Sequence, residues 1–315
     1  MTRWIVAALL LSTTAYANDP VRLVDTQGGV FADYALYVAE QEGYYAAEKL
    51  DATVTVGRGG STSVQVVITG SADIVYGPGI FSLIAAYAKG TPLTIIGNAI
   101  RGAGDTFWYV RKDSPIKTLK DIDGDRTLSY SSPGSLSSLL VETIIRENNI
   151  HPKLVAVGSF ASARTQMMSG QIDTAFSSFP SNMDVIRKGE ARVVATGDDA
   201  VSLRPSSMRA IAANSDWLAK HRDVAIRAMR AVWKAQHYAF SNPKALTAFA
   251  EKWQVDPEDS KQAWNYFKLD QMTLAPVSEL DLLLKLAQDQ GFIKEALTPE
   301  QKAKLVDIVY DPDKK

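Results

Sequence analysis

Two loops in this sequence combine small residues with hydroxyls in a way that suits the binding of a negatively charged group. One reads Gly57-Arg58-Gly59-Gly60-Ser61-Thr62 and the other Ser131-Ser132-Pro133-Gly134-Ser135. Each is expected to open a helix, where unblocked backbone N–H groups and the positive end of the macrodipole attract an anion. Gly60, Ser61 and Thr62 in the first loop, and Ser132, Gly134 and Ser135 in the second, are the candidate contacts. The same residues would also serve as simple helix caps or a tight turn. Arg101 follows a predicted strand and offers a guanidinium for a carboxylate or sulfonate; Arg58 and Arg204 are weaker candidates. Aromatic residues fall at the neighbouring loops. Phe31 stands close to Gly29, Tyr76 precedes Gly77, and Phe160, Phe179 and Trp108 complete the candidate set. A neutral aromatic ligand would lean on these rings, although rings in such positions more often belong to the core.

Covalent chemistry finds little support. The three histidines, His151, His221 and His237, fall outside the predicted loops of interest, and the chain has no cysteine. Thiol catalysis and cysteine metal sites are thereby excluded. No Gly-x-Ser-x-Gly elbow, His-Glu-x-x-His pair or phosphate loop with lysine occurs. The expectation is therefore no catalytic residue, no metal and no cofactor. A formal net charge of −1 and the lack of a basic cluster argue against nucleic acid as a partner.

The elements that must carry the loops alternate. At 315 residues, 46% of them hydrophobic, the chain suits about two domains with ample cores. Arg3, the apolar run Ile5 to Leu11 and Ala15-Tyr16-Ala17 read as a signal peptide cleaved after Ala17. The run is too short to span a bilayer, which needs about 20 residues. Without cysteine there is no lipid attachment at a processed N-terminus, so a freely diffusing periplasmic protein is expected. From Val21 onward, short strands alternate with helices to about Ala195. Beyond Trp217 the pattern is helical. Alternation of this kind predicts parallel sheets flanked by helices.

One internal echo organises the two halves. Thr69-Gly70-Ser71-Ala72-Asp73-Ile74-Val75-Tyr76 is matched by Ser169-Gly170-Gln171-Ile172-Asp173-Thr174-Ala175-Phe176. Each reads as helix end, glycine, two residues, aspartate and a strand ending in an aromatic. Two lobes on one plan would direct both sets of strand C-terminal loops into a shared cleft, where ligands of open α/β sheets sit.

Leu36-Tyr37-Val38-Ala39-Glu40-Gln41-Glu42-Gly43-Tyr44-Tyr45, Gly59-Gly60-Ser61-Thr62, Gly70-Ser71-Ala72-Asp73, Asp113-Ser114-Pro115-Ile116 with Leu119-Lys120-Asp121, and Ser169-Gly170-Gln171-Ile172-Asp173 together resemble a known group. It comprises the nitrate-, sulfonate-, taurine- and pyrimidine-precursor-binding proteins of ABC importers. The resemblance implies a type II periplasmic-binding-protein fold, with two α/β lobes, each a mostly parallel sheet, joined by two crossing strands and closing on ligand. It implies crossings near Phe107–Arg111 and Met208–Ala212. Residues 18–107 and 210–315 then form the first lobe, and 108–209 the second. It also implies a monomer that meets a small-molecule ligand and, transiently, an inner-membrane permease. The fungal pyrimidine synthases share this architecture, but their cysteine-rich segment has no counterpart here. A sulfonate, a carboxylate or an aromatic acid fits the Ser/Gly loops, and a neutral pyrimidine fits the rings. A receptor's ligand-sensing module would read identically.

Overall fold

The computed structural model describes residues 18–314, so the expected signal segment lies outside the described residues. The first sheet starts from β1 (Asp19–Val24), whose Val21, Leu23 and Val24 are buried. β2 (Leu50–Thr55) and β3 (Ile74–Gly79) flank it, both parallel to it. The connections are helical: α1 (Tyr34–Gln41) and α2 (Tyr44–Ala47) precede β2, and α3 (Gly60–Ile68) precedes β3. α4 (Ile80–Ala88) then leads to β4 (Leu93–Arg101). β3 is buried throughout, and β4 is buried up to its last residue. Such unbroken runs belong to strands covered by helices on both faces.

The chain leaves this lobe between Arg101 and Thr106. In the second lobe β5 (Thr106–Arg111) comes first, then β6 (Thr127–Tyr130), α5 (Leu136–Asn148), β7 (Lys153–Ala156), α6 (Phe160–Met168), β8 (Ala175–Ser178), α7 (Met183–Arg187) and β9 (Ala191–Thr196). The chain returns between Thr196 and Ser207 into β10 (Ser207–Asn214), which enters the first sheet to give the order β2-β1-β3-β10-β4. The helices α8 (Ser215–Leu218), α9 (Arg222–Ser241), α10 (Lys244–Trp253), α11 (Pro257–Trp264), α12 (Leu280–Asp289) and α13 (Pro299–Leu305) follow. Several of them pack back onto the first lobe. Gln236 of α9 donates to the Tyr76 hydroxyl at 3.0 Å, and Val306 bridges to Ile95 of β4.

Each lobe carries one strand that runs against its mostly parallel set: β10 is antiparallel to β3 and β4, and β5 is antiparallel to β8 and β9. The parallel strands end at the cleft, so a strand arriving from the other lobe starts there and runs the opposite way. The passages themselves also lie slightly earlier than Phe107 and Met208, because β5 and β10 are each wholly incorporated into the sheet they enter.

The echoed aspartates do the same work in both halves. Asp73 accepts from the Arg22 backbone N–H at 2.8 Å and pairs with its guanidinium, tying the start of β3 to β1. Asp173 accepts from the Thr127 N–H at 2.9 Å and pairs with Arg126 at 3.0 Å, tying the approach to β8 onto β6. Their side chains differ in exposure, 4% against 25%. Removing a charge-accepting partner costs about 1.5–3 kcal/mol, more where water cannot replace it. Asp73→Ala is therefore expected to cost about 2–3 kcal/mol in urea unfolding, and Asp173→Ala distinctly less. Equal losses would show that burial does not separate the two.

Candidate functional site

A cavity of about 630 Å³ lies between the two lobes. Its walls are the loops that follow strand ends. From the first lobe come Thr26, Gln27 and Val30 after β1, Arg58 to Thr62 after β2, and Gly77 to Gly79 at the end of β3. From the second come the serines after β6, the Val157-Gly158-Ser159 turn after β7, and Phe176 and Ser178 of β8. Four helices begin at this wall. α5 is capped by Ser135, whose Oγ accepts from the Ser138 N–H, and α6 by Ser159, which accepts from Ser162. α3 and α4 are instead preceded by Gly59 and Gly79, which have no side chain to offer their first N–H groups. Four positive helix ends around one space favour a negative occupant.

The two charged residues of the wall, among the described residues, are both arginines. Arg58 stands on the glycine loop and Arg209 projects from β10. The Arg209 side chain is 12% exposed, and its Nη2 donates to Asp105 Oδ2 at 2.8 Å. Asp105 is 2% exposed and also accepts from Ser178 Oγ at 2.8 Å. A buried cation requires such a partner. Arg209 Nε has no hydrogen-bond partner among the described residues. Opposite these polar groups stands an apolar wall of Val157, Phe160 and Phe176, the two rings meeting edge-on at 5.1 Å.

Two buried carboxyls hold the first-lobe loops from behind. Asp33 Oδ2 accepts from the Thr26 hydroxyl at 2.9 Å and from the Thr26 N–H at 3.3 Å. Asp25 accepts from the Tyr37 hydroxyl and, at 2.5 Å, from the Gly57 N–H. The loops are joined directly where Gly59 N–H donates to Thr26 O at 2.7 Å. Gly77 has φ +83°, and a Cβ there would stand 2.3 Å from Asp33 Oδ1, so a side chain is barred twice over.

Of the residues named from sequence, Arg58, Gly60, Ser61, Thr62 and Gly77 line the cavity from the first lobe. Ser132, Ser135 and Phe160 do so from the second. The others are elsewhere. Phe31 is buried among Phe249, Trp264 and Phe267. Gly29 faces Trp253, and Gly134, at φ +80°, faces Phe292. Tyr76 turns to Gln236, and its echo partner Phe176 reaches the cavity instead. Which face an aromatic presents depends on strand alternation, which the repeat alone does not specify. Trp108 is fully buried inside the second lobe, its indole N–H donating to Ser129 O at 2.8 Å. Phe179 is stacked between Phe107 and Tyr266. Arg101 donates to Asp270 O, and Arg204 to Asp198 O at 2.7 Å. Arg209 was missed, yet it had a signal: it is the one charged residue in the otherwise apolar and small run Ser207–Asn214.

Two α/β lobes, two chain passages and a ligand-sized cavity at the strand ends define the type II periplasmic-binding-protein fold. The chain belongs to the NMT1/THI5-like family, which it matches over residues 32–246. It is 24% identical over 246 residues to a Bacillus subtilis (strain 168) protein named "Putative binding protein YtlA", covering 76% of this chain and 72% of that one. Its fold is similar to that of the alkanesulfonate-binding protein SsuA from Xanthomonas axonopodis pv. citri bound to MOPS. That match has a TM-score of 0.78 at 16% identity and covers 92% of this chain and 98% of the other. The periplasmic aliphatic sulphonate binding protein SsuA from Escherichia coli is similar too, with a TM-score of 0.74, 16% identity and 94% of both chains covered. All three relatives are named as binding proteins, not as enzymes.

Burial raises both carboxyls behind the loops above the usual carboxylate range, Asp33 well above it with the Asp25 charge adding to the effect. A carboxyl whose pKa rises on folding contributes stability that is present below its unfolded value of about 3.9. That contribution is lost as pH rises through the folded value. Asp33→Asn is therefore expected to melt at a higher temperature than the wild type at pH 8 and at nearly the same temperature at pH 4. Scanning calorimetry across that range checks it. A variant melting lower at both pH values would mean that the bonds to Thr26 outweigh the cost of burial.

Proposed function

We propose that this protein is the exported substrate-binding component of an ABC import system, capturing a small organic anion between its lobes for delivery to a membrane permease. The observation that carries this reading is the charge of the cavity wall, where Arg58 and Arg209 stand among four helix starts and no carboxylate intervenes among the described residues. A volume of about 630 Å³ is ample for a small organic molecule. The wall of Val157, Phe160 and Phe176 suits an apolar or aromatic body behind a sulfonate or carboxylate head. The sulfonate-binding names of the two fold neighbours agree with that head group. Ligand capture closes the lobes about the two passages, a recurrent response in this architecture. The protein works as a monomer in the periplasm, free of its first 17 residues.

A second reading has one observation in its favour. Asp105 already balances Arg209, so a neutral heteroaromatic ligand held by Phe160 and Phe176 would leave no buried charge of the wall unmatched.

Calorimetry after a thermal-shift screen of sulfonates, carboxylates and pyrimidine precursors separates the two. For an anionic ligand, Arg209→Gln is expected to weaken binding by about 1.5–3 kcal/mol, roughly ten- to hundredfold. Arg101→Ala should leave affinity unchanged, because that guanidinium is engaged with Asp270 outside the cavity. A tight neutral ligand indifferent to Arg209→Gln would overturn the anion reading. Export has its own measurement: N-terminal sequencing of native protein should begin at Asn18, and an intact Met1 would refute it.

A further inference from the structure

The Arg209–Asp105 pair spans the joint between the lobes. Arg209 belongs to β10 of the first sheet, where it lies opposite Ile100 of β4. Asp105 ends the first passage, one residue before β5 begins in the second lobe. Three contacts fasten Asp105 to that second lobe. Ser178 Oγ donates to its carboxylate at 2.8 Å, the Phe179 N–H donates to its carbonyl at 3.0 Å, and its neighbour Thr106 pairs in register with Ser178. Asp105 therefore travels with the second lobe and Arg209 with the first. Across the cavity, at Ser82 and Gly134, the lobes meet more weakly. Ser82 Oγ approaches Gly134 O at 3.5 Å, and Leu136 packs over Gly79. An ion pair buried at the joint is a stronger constraint on the angle between lobes than those contacts are, and it acts beside the Arg187–Asp259 pair that links α7 to α11 at 2.7 Å.

We propose that Asp105 is a positioning residue that couples the charge state around Arg209 to the angle between the lobes. It ties the guanidinium to the second lobe through one nitrogen, Nη2, and leaves Nε without a partner among the described residues. An anion in the cavity and Asp105 thus share one guanidinium, and what changes the ligand's hold on it also changes the joint. The identity of the sharing anion rests on the function proposed above, but the coupling itself is measurable without any ligand.

The chain lacks cysteine, so spin labels can be placed at will. Lys89, just after α4, and Arg146, near the end of α5, are exposed and lie on opposite lobes. In a Lys89→Cys/Arg146→Cys background, pulsed electron–electron distance measurements on unliganded protein should give a longer label separation in Asp105→Asn than in the parent. Arg209→Gln should lengthen it similarly, and the double variant should match either single one, because one pair is lost in each case. A distribution in Asp105→Asn that coincides with the parent's, or shifts that add in the double variant, would overturn the proposal. Should Asp105→Asn fail to melt cooperatively, Arg209→Gln and Ser178→Ala carry the same test. Both lengthen the distance if the pair sets the angle, and unchanged distances in both refute it. Titrating MOPS into the labelled parent keeps the two readings apart: closure on addition supports anion capture. No response, with the variants' shifts intact, counts against MOPS-like anions as ligands while the coupling stands.

Discussion

A strand covered by helices on both faces has only its ends free to meet anything else. β3 and β4 are in that position, which leaves the loops beyond Val24, Thr55 and Gly79 to form the first lobe's side of the cavity. In the second lobe β8 is buried throughout in the same way, and the loops after β6 and β7 reach the same space. Both sets of loops open toward the other lobe, so the cavity follows from how the sheets are buried. Helix starts accompany it necessarily, since each parallel connection begins a helix where its strand stops.

Charge is handled differently at the wall and behind it. At the wall the charged groups are guanidiniums, one of them matched by a carboxylate that is not itself part of the cavity lining. Behind the first-lobe loops, Asp25 and Asp33 are fully buried and receive hydrogen bonds from the backbone of the loops they hold. Leaving carboxyls there is unfavourable for folding, which makes their bonds to Thr26 and Gly57 a matter of loop shape more than of stability. The two loops are further zipped together by Gly59 and Thr26, so the glycine segment and the β1 loop form one rigid rim.

The alternation of strands and helices, the loops Gly60-Ser61-Thr62 and Ser131-Ser132, and the paired aspartates were legible because each is a local signal. Glycine, serine and a β-branched run report on their own few residues of backbone. Arg209 was not legible as a wall residue, because its position depends on β10 slotting between β3 and β4, partners more than a hundred residues away. Arg101 and Arg209 sit on adjacent strands with registers one residue apart, and only the pleat decides which guanidinium meets the cavity. The aromatic candidates failed for a related reason. Phe31 and Phe179 occupy loops beside the cavity, but α10 and the residues just beyond α11, far along the chain, supply rings that cover them. Nothing local in Phe31 or Phe179 announces a partner such as Phe249 or Tyr266.

The central place of β10 also bears on how the chain comes to be folded. When residues up to Arg101 have emerged from the ribosome, β3 and β4 exist without the strand that separates them. β3 then presents an unpaired edge in a strand that is wholly buried in the finished fold. That edge stays open while the whole second lobe, residues 106–196, is made, and the second lobe can form its own sheets in the meantime. Completion of the first lobe is thus a late, long-range event, of the kind that folds slowly and exposes sticky intermediates.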